Sequence, residues 1–220
     1  MDVPLESALQ ALPIFPLPDV VLFPGALLPL HVFEPRYREM TRAVLESNRL
    51  MAVVRLKPGY EAEYHGRPAV HEVAGVGYVI AAEELPDGRY NIVLRGVGRV
   101  RIAEELPPAH AYRAVRAELL VDTHTRKSAG ELGSAHDQLI AMSDRLSHLL
   151  DEGGDNLREL VRAVPSPAGC VDVLSAALVT DADERQCLLE TLDPAERLER
   201  LLGHVAVLIA RLSGGPRTVN

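Results

Sequence analysis

The sequence predicts an α+β protein in which strands come first and helices second. Three observations carry that prediction. Residues 1–122 hold at least six short segments with the alternation or apolar density of strands and one segment with helical spacing. Residues 123–220 hold five segments with helical spacing, and the strand pattern stops there. Between them Asp122 to Ser128 is polar and reads as a linker. The expected units are therefore 1–122, β-rich with one helix, and 123–220, a helical bundle.

The first half is organised by Leu12 to Met40, which holds six prolines among nearly continuous apolar residues. A proline lacks an N–H, so this stretch can be neither a long helix nor an uninterrupted central strand. It must be short strands joined by fixed bends. Pro18-Asp19 and Pro24-Gly25 supply the bends, because Pro presets φ and Gly adopts the positive φ that a reversal needs. The strands are then Leu12 to Leu17 and Leu27 to Phe33. In the second, Ala26, Leu28, Leu30 and Val32 share one face and Leu27, Pro29, His31 and Phe33 the other. With little that is polar on either face, this strand is expected to be covered on both sides.

After Phe33 the period changes. Glu34-Pro35 places an acid and a proline where a helix starts, and Tyr37, Met40 and Val44 follow at helical spacing, predicting a helix over 35–47. Met51 to Leu56 reads as a strand ended by Lys57-Pro58-Gly59, and the polar Tyr60 to Pro68 as a mobile loop. Val73 to Ala82 and Arg89 to Arg95 form a hairpin around Pro86-Asp87-Gly88. Gly96 to Gly98 separates the second of these from a strand at Val100 to Ala103, and Tyr112 to Val121 is the last strand.

The second half predicts helices at 130–150, 157–164, 167–179, 182–191 and 194–212. Ser166-Pro167, Asp181 with Glu184, and Asp193-Pro194 with Glu196 place cap acceptors, first-turn prolines or N3 acids where orphan N–H groups need partners. Leu198, Leu201, Leu202, Val205, Ile209 and Leu212 make one apolar stripe on the last helix.

A chain of 220 residues buries roughly 70% of its unfolded surface and needs no covalent staples. Cys170 and Cys187 lie far apart without C-x-x-C spacing and read as small buried hydrophobes in a reducing compartment. The N-terminus has no basic region leading into an apolar one, and charges interrupt every apolar run, so a cytoplasmic protein with no membrane partner is expected. The net charge is −8. Residues 1–120 carry 15 of the 31 acids and 13 of the 23 bases, leaving 16 and 10 for the remainder, so the acidity sits mainly in the helical half. An acidic chain is repelled by phosphate backbones unless it carries a local basic stripe, which argues against nucleic acid as a partner.

The run LPIFPLPDVVLFPG, followed by LPLHVFEPRYREM, resembles the opening of the Lon substrate-binding (Lon N-terminal) domain, and FEPRYREM is closest to the stand-alone bacterial form without ATPase or protease modules. GVGYVIAAEELPDGRYNIVLRGVGRVRI, YRAVRAELL and RQCLLETLDPAERLERLL fit the same family in the same order. The resemblance implies a PUA-like curled β-sheet or pseudo-barrel, followed by a helical extension. It also implies a function: recognition of unfolded or partly folded proteins or exposed peptide segments, as an adaptor in protein quality control.

The enzymatic parts of Lon can be checked by inspection. A P-loop needs a lysine after glycine, and neither Lys57 nor Lys127 follows one. Neither lysine belongs to a segment matching Lon's Ser-Lys peptidase pair. The chain is therefore expected to be no enzyme of that kind, and no cofactor or metal is implied. Gly75-x-Gly77 and Gly96-x-Gly98 lack the third glycine of a dinucleotide loop and are better explained by turns, bulges or close backbone contacts. His65 and His71 with Glu61, Glu63 and Glu72 read as a solvated loop rather than a metal site. Glu83-Glu84 and Glu104-Glu105 point to opposite faces of strands and read as solvated. Arg95, Arg99 and Arg101 are a small basic run, which together with the PUA-like fold keeps a small-molecule or RNA-binding module as the alternative function. For the leading function, Leu22, Phe23, Pro24, Leu28, Phe33 and Tyr37 are the candidates to line a groove for an apolar or extended peptide. Each is otherwise core, and the bend at Leu22 to Pro24 is where exposure is expected.

Overall fold

The computed structural model describes residues 5–64, 66–123 and 128–214. His65, in the expected Tyr60 to Pro68 loop, and residues 124–127, in the expected linker, lie outside the described residues. The chain divides into two compact units, Met1–Val121 and Asp122–Asn220.

In the first unit a short helix α1 (Leu5–Ala8) and a 3-10 turn lead into strand β1 (Leu12–Leu17). Strand β2 (Leu27–Val32), helix α2 (Pro35–Leu45), β3 (Leu50–Arg55), β4 (Val73–Glu84), β5 (Tyr90–Glu105) and β6 (Arg113–Leu120) follow. The sheet order is β2-β5-β4-β3-β1-β6, and β5 also pairs with β6. That last pairing closes β1, β3, β4, β5 and β6 into a barrel. Every pairing is antiparallel except β1 with β3. Strand β5 makes both structures possible, because it pairs with β2 over Tyr90–Arg95 and with β6 over Arg99–Glu105. The predicted break at Gly96 to Gly98 is instead a register shift inside one strand: Gly77 pairs with Gly96 and Val76 with Gly98.

Two apolar clusters hold this unit. Leu12, Ile14, Leu50, Ala52, Val54, Val76, Val100 and Val115 fill the barrel. Phe15, Met51, Val53, Val79, Ile92 and Leu94 lie on the outside of the sheet, under Tyr37, Met40 and Val44 of α2. Alternation along β1 and β3 supplies both, since successive residues face opposite sides. Pro35 stands in the first turn of α2, as expected. Arg38 of that helix donates to the carbonyl of Gly88 at the β4–β5 turn, with N···O of 2.6 Å.

The bend after β1 differs from expectation. Leu22 and Phe23 are 1% and 0% exposed. Their backbone lies directly on the glycines of β4 and β5: a Cβ on Gly75 would stand 1.8 Å from the Leu22 carbonyl oxygen, and one on Gly96 2.0 Å from that of Phe23. Gly75, Gly77 and Gly96 thus form a side-chain-free strip into which the bend packs. Gly25 then turns the chain with φ of +77°.

The second unit contains α3 (Ala129–Ser147), α4 (Gly154–Ala163), α5 (Pro167–Leu178), α6 (Ala182–Glu190) and α7 (Pro194–Gly214). The starts of α3, α5 and α6 carry side-chain caps, those of α5 and α6 at the residues the sequence indicates. The Ser166 hydroxyl accepts from Gly169 N–H and the Asp181 carboxylate from Glu184 N–H, while Ser128 and Glu131 form a reciprocal capping box. Leu198, Leu201, Val205 and Ile209 of α7 are buried, whereas Leu212 is exposed. Arg197, fully buried on the same helix, binds both carboxylate oxygens of Asp122 at 2.8 and 2.9 Å and pairs with Asp172 of α5 at 3.2 Å. It also donates to the Thr191 carbonyl. Both cysteines carry free thiols, and burial pushes that of Cys170 up. Among the described residues no helix is long and apolar enough to cross a membrane.

Candidate functional site

The structure separates the six residues predicted to line a groove. Leu22, Phe23 and Tyr37 are buried in the core, which corrects the expected exposure of the bend. Pro24 and Leu28 are half-buried, and Leu28 packs against the cluster beneath α2. Phe33 alone stands in solvent, 60% exposed. The reason lies in the glycine strip: residues far along the chain make room for Leu22 and Phe23, and nothing within the 12–40 stretch signals them.

The exposed apolar surface lies on the other face of the same segment. Strand β2 is an edge strand, bonded to β5 on one side only. Leu27, Pro29 and His31 are exposed along it, so the expectation that this strand is covered on both faces does not hold. Beyond the barrel, β2, β5 and β4 form a three-stranded layer whose inner face meets the cluster under α2 and whose outer face meets water. Its outer side chains stand in rows across the strands. Leu27 pairs with Arg95 and that with Tyr78; Pro29 with Val93 and that with Ala81; His31 with Asn91 and that with Glu83. Ile80 at the register shift and Val97 add exposed apolar surface.

The last row is polar and internally bonded. Arg89 donates to His31 Nε2 at 3.2 Å, so Nδ1 carries the ring proton and donates to Asn91 Oδ1 at 2.8 Å. Asn91 Nδ2 donates in turn to Glu83 at 3.1 Å. This polar row and the middle apolar row line a shallow cavity of about 550 Å³. Phe33, stacked beside His31 with ring centres 6.3 Å apart, extends the surface past the end of β2.

Main-chain groups at this edge follow from Pro29. Having no N–H, Pro29 is suited to a position whose amide points away from β5, and by alternation Leu27 and His31 point the same way. The open edge therefore offers two N–H donors interrupted by a proline.

A second concave region lies where the start of α2, the loop after β3 and the loop before β6 converge. Arg36 pairs with Glu34 at 3.0 Å and donates to the Tyr64 carbonyl, and the Tyr64 hydroxyl donates to Glu34 at 2.8 Å. The Arg36 guanidinium lies over the rings of Tyr37 and Tyr64. Glu105 is held by a bidentate pair from Arg113 at 2.7 Å and by Arg67. Burial works to raise the Glu105 carboxyl, but the two guanidiniums outweigh it and hold the group below its ordinary range. Burial pushes the Tyr37 hydroxyl up to about 12. Sequence reasoning read Glu104-Glu105 as solvated and missed this cluster, whose members come from the start of α2, the loop between β3 and β4, the end of β5 and the start of β6.

The basic run does not form one surface, because Arg99 is buried while Arg95 and Arg101 are exposed. His65 of the expected histidine cluster lies outside the described residues, and among those described no three His, Cys, Asp or Glu side chains are placed to hold a metal ion.

The architecture has counterparts among solved structures. The N-terminal domain of a Mycobacterium avium complex Lon protease superposes with a TM-score of 0.68 at 18% identity, covering 90% of this chain and 98% of that one. A Lon N-terminal domain protein from Xanthomonas campestris gives 0.62 at 24% identity, covering 88% and 97%. At these identities the likeness establishes the fold. In sequence, a Lon protease of Desulfosudis oleivorans is 21% identical over 196 residues, which are 87% of this chain and 23% of that protein. One of Paraburkholderia phytofirmans is 27% identical over 213 residues, 94% and 26% respectively. The chain thus spans about a quarter of the length of the curated relatives it matches. A family model described as the ATP-dependent protease La (LON) substrate-binding domain matches residues 11–207, and on that match the chain belongs to this family.

Proposed function

We propose that the chain is a non-enzymatic recognition domain that binds unfolded or partly folded proteins through their apolar segments, on the outer face of β2, β5 and β4, as an adaptor in protein quality control. The family supports the partner class, and one structural observation supports the surface. Leu27 and Phe33, on and just after an edge strand, are 58% and 60% exposed beside Pro29, Val93 and Ile80. An apolar patch of this kind on a sheet with an open edge suits an extended peptide, which gains apolar contact from the face and main-chain bonds from the edge. Pro29 shortens the run of edge donors, so side-chain contact carries the larger share.

The test is a double variant, Leu27→Ser with Phe33→Ser, titrated against a reduced and carboxymethylated model protein. Burying an apolar side chain contributes about 1.5–3 kcal/mol, so losing two contacts weakens binding by at least about a hundredfold if both are covered. The melting temperature stays within about two degrees, because neither side chain is buried. Unchanged affinity would remove this face from the reading.

A further inference from the structure

We propose that the cleft between α2 and the loops before β4 and β6 binds a small carboxylate attached to a flat apolar body. The cleft has a volume of about 250 Å³ and is lined by Arg36, Tyr37, Arg67, Tyr112 and Arg113. Three features make it a built site.

The first is charge. Arg36, Arg67 and Arg113 face Glu34 and Glu105, and three cations against two anions leave one positive charge. This holds in a chain whose net charge is −8. His110 of the lining sits 3.8 Å from Glu39, both about half exposed. One surplus positive charge is matched by a singly charged carboxylate better than by a doubly charged phosphate.

The second is the set of donors left over. Arg36 uses Nε and one terminal nitrogen on Glu34 and the Tyr64 carbonyl, and Arg67 uses Nε and one terminal nitrogen on Glu105 and the Leu106 carbonyl. The other terminal nitrogen of each has no acceptor among the described residues. Tyr37 is 5% exposed and lines both this cleft and the smaller hollow beside it, where its hydroxyl is a further donor. An entering carboxylate oxygen supplies an acceptor for these donors.

The third is the wall. Tyr112 stacks on His110 with ring centres 4.8 Å apart and planes 2° from parallel, and Pro108 lies beside them, which offers a flat apolar surface for the ligand's body. The carboxylate can belong to a free acid or to the C-terminus of a polypeptide, which present the same group.

The test is an NMR titration of the intact chain with 3-phenylpropionate, its amide, phenyl phosphate, and a short peptide ending in phenylalanine as free acid or amide. The acid is expected to shift resonances around the cleft and to bind at least about tenfold more tightly than its amide, since charge-assisted bonds are lost in the amide. Arg67→Met, which leaves Glu105 held by Arg113, weakens the acid about tenfold. Tyr37→Phe weakens it severalfold while the rest of the spectrum stays in place. A peptide acid that binds more tightly than phenylpropionate assigns the site to chain ends, and equal or weaker binding assigns it to free acids. Equal binding of acid and amide, shifts confined to the outer face of β2, β5 and β4, or tighter binding of phenyl phosphate overturns the proposal.

Discussion

Replacing Gly96 with alanine adds one methyl group where there is no room for it. The new Cβ would lie 2.0 Å from the Phe23 carbonyl oxygen, whereas ordinary contact begins near 3.4 Å, so the bend must move by about 1.4 Å. That displacement separates Gly25 N–H from the Gly96 carbonyl and Gly96 N–H from the Ala26 carbonyl, both now at 2.9 Å. Two net backbone bonds at about 1 kcal/mol each are at risk, and overpacking adds about 1–3 kcal/mol. The total is roughly 3–5 kcal/mol. For a chain of this length each kcal/mol lowers the midpoint by about 2–4 °C, so a fall near ten degrees is expected in a thermal scan followed by circular dichroism. Gly203→Ala is the internal control. It lies exposed in the middle of α7 with nothing within 4 Å of an added Cβ, and the substitution should stabilise that helix by about 0.5–1 kcal/mol. A Gly96→Ala protein that melts with the wild type would refute the close contact between bend and sheet.

Two further outcomes follow from the charge pairs and one from burial. Arg197→Met removes the ion-pair partner of Asp172, which is 3% exposed, and of Asp122, and should cost roughly 3–5 kcal/mol in urea unfolding; a loss below about 1 kcal/mol would show that these pairs do not hold the bundle. Glu105 has a folded pKa below its ordinary 4.5, so its contribution to stability is complete above that value and is lost as pH falls through the folded one. Stability measured between pH 5 and 3 should therefore fall more steeply in wild type than in Glu105→Gln, and parallel curves would contradict the pairing. Tyr37 ionises near 12 instead of 10, so the stability linked to it is complete below pH 10 and lost between the two values. Absorbance at alkaline pH should show a late tyrosine that Tyr37→Phe removes.

Local chemistry was legible in the sequence wherever one residue acts on its own backbone. Pro35 opened α2, Ser166 and Asp181 opened α5 and α6, and Asp87-Gly88 turned the hairpin, each at the expected place. What could not be read depended on residues meeting across the fold. Gly96 and Gly98 look like punctuation, yet β5 runs through them because β4 and β6 pair with its two edges. Leu22 and Phe23 look like an exposed loop, and only the bare strip of Gly75, Gly77 and Gly96 buries them. Strand β2 is apolar on both faces, so alternation could not show that one face is left to water. The arginine cleft was invisible for the same reason, since Arg36, Arg67 and Arg113 are separated by tens of residues and meet only where α2, the loop before β4 and the start of β6 converge.

The position of β1 has a consequence for the order in which the protein assembles during synthesis. Its two neighbours in the barrel are β3 and β6, and Leu12 pairs with Val115, about 100 residues further on. Ribosomes add about 5–20 residues per second, so roughly 5–20 s pass between the appearance of this strand and that of the partner that seals it. The loop to be closed is long, and the seam cannot form until nearly the whole first unit has been made. Over that interval the proline-rich stretch stays apolar without a complete cover. Its six prolines, which limit the donors it can offer to another strand, then protect the nascent chain from pairing with its neighbours on the same message.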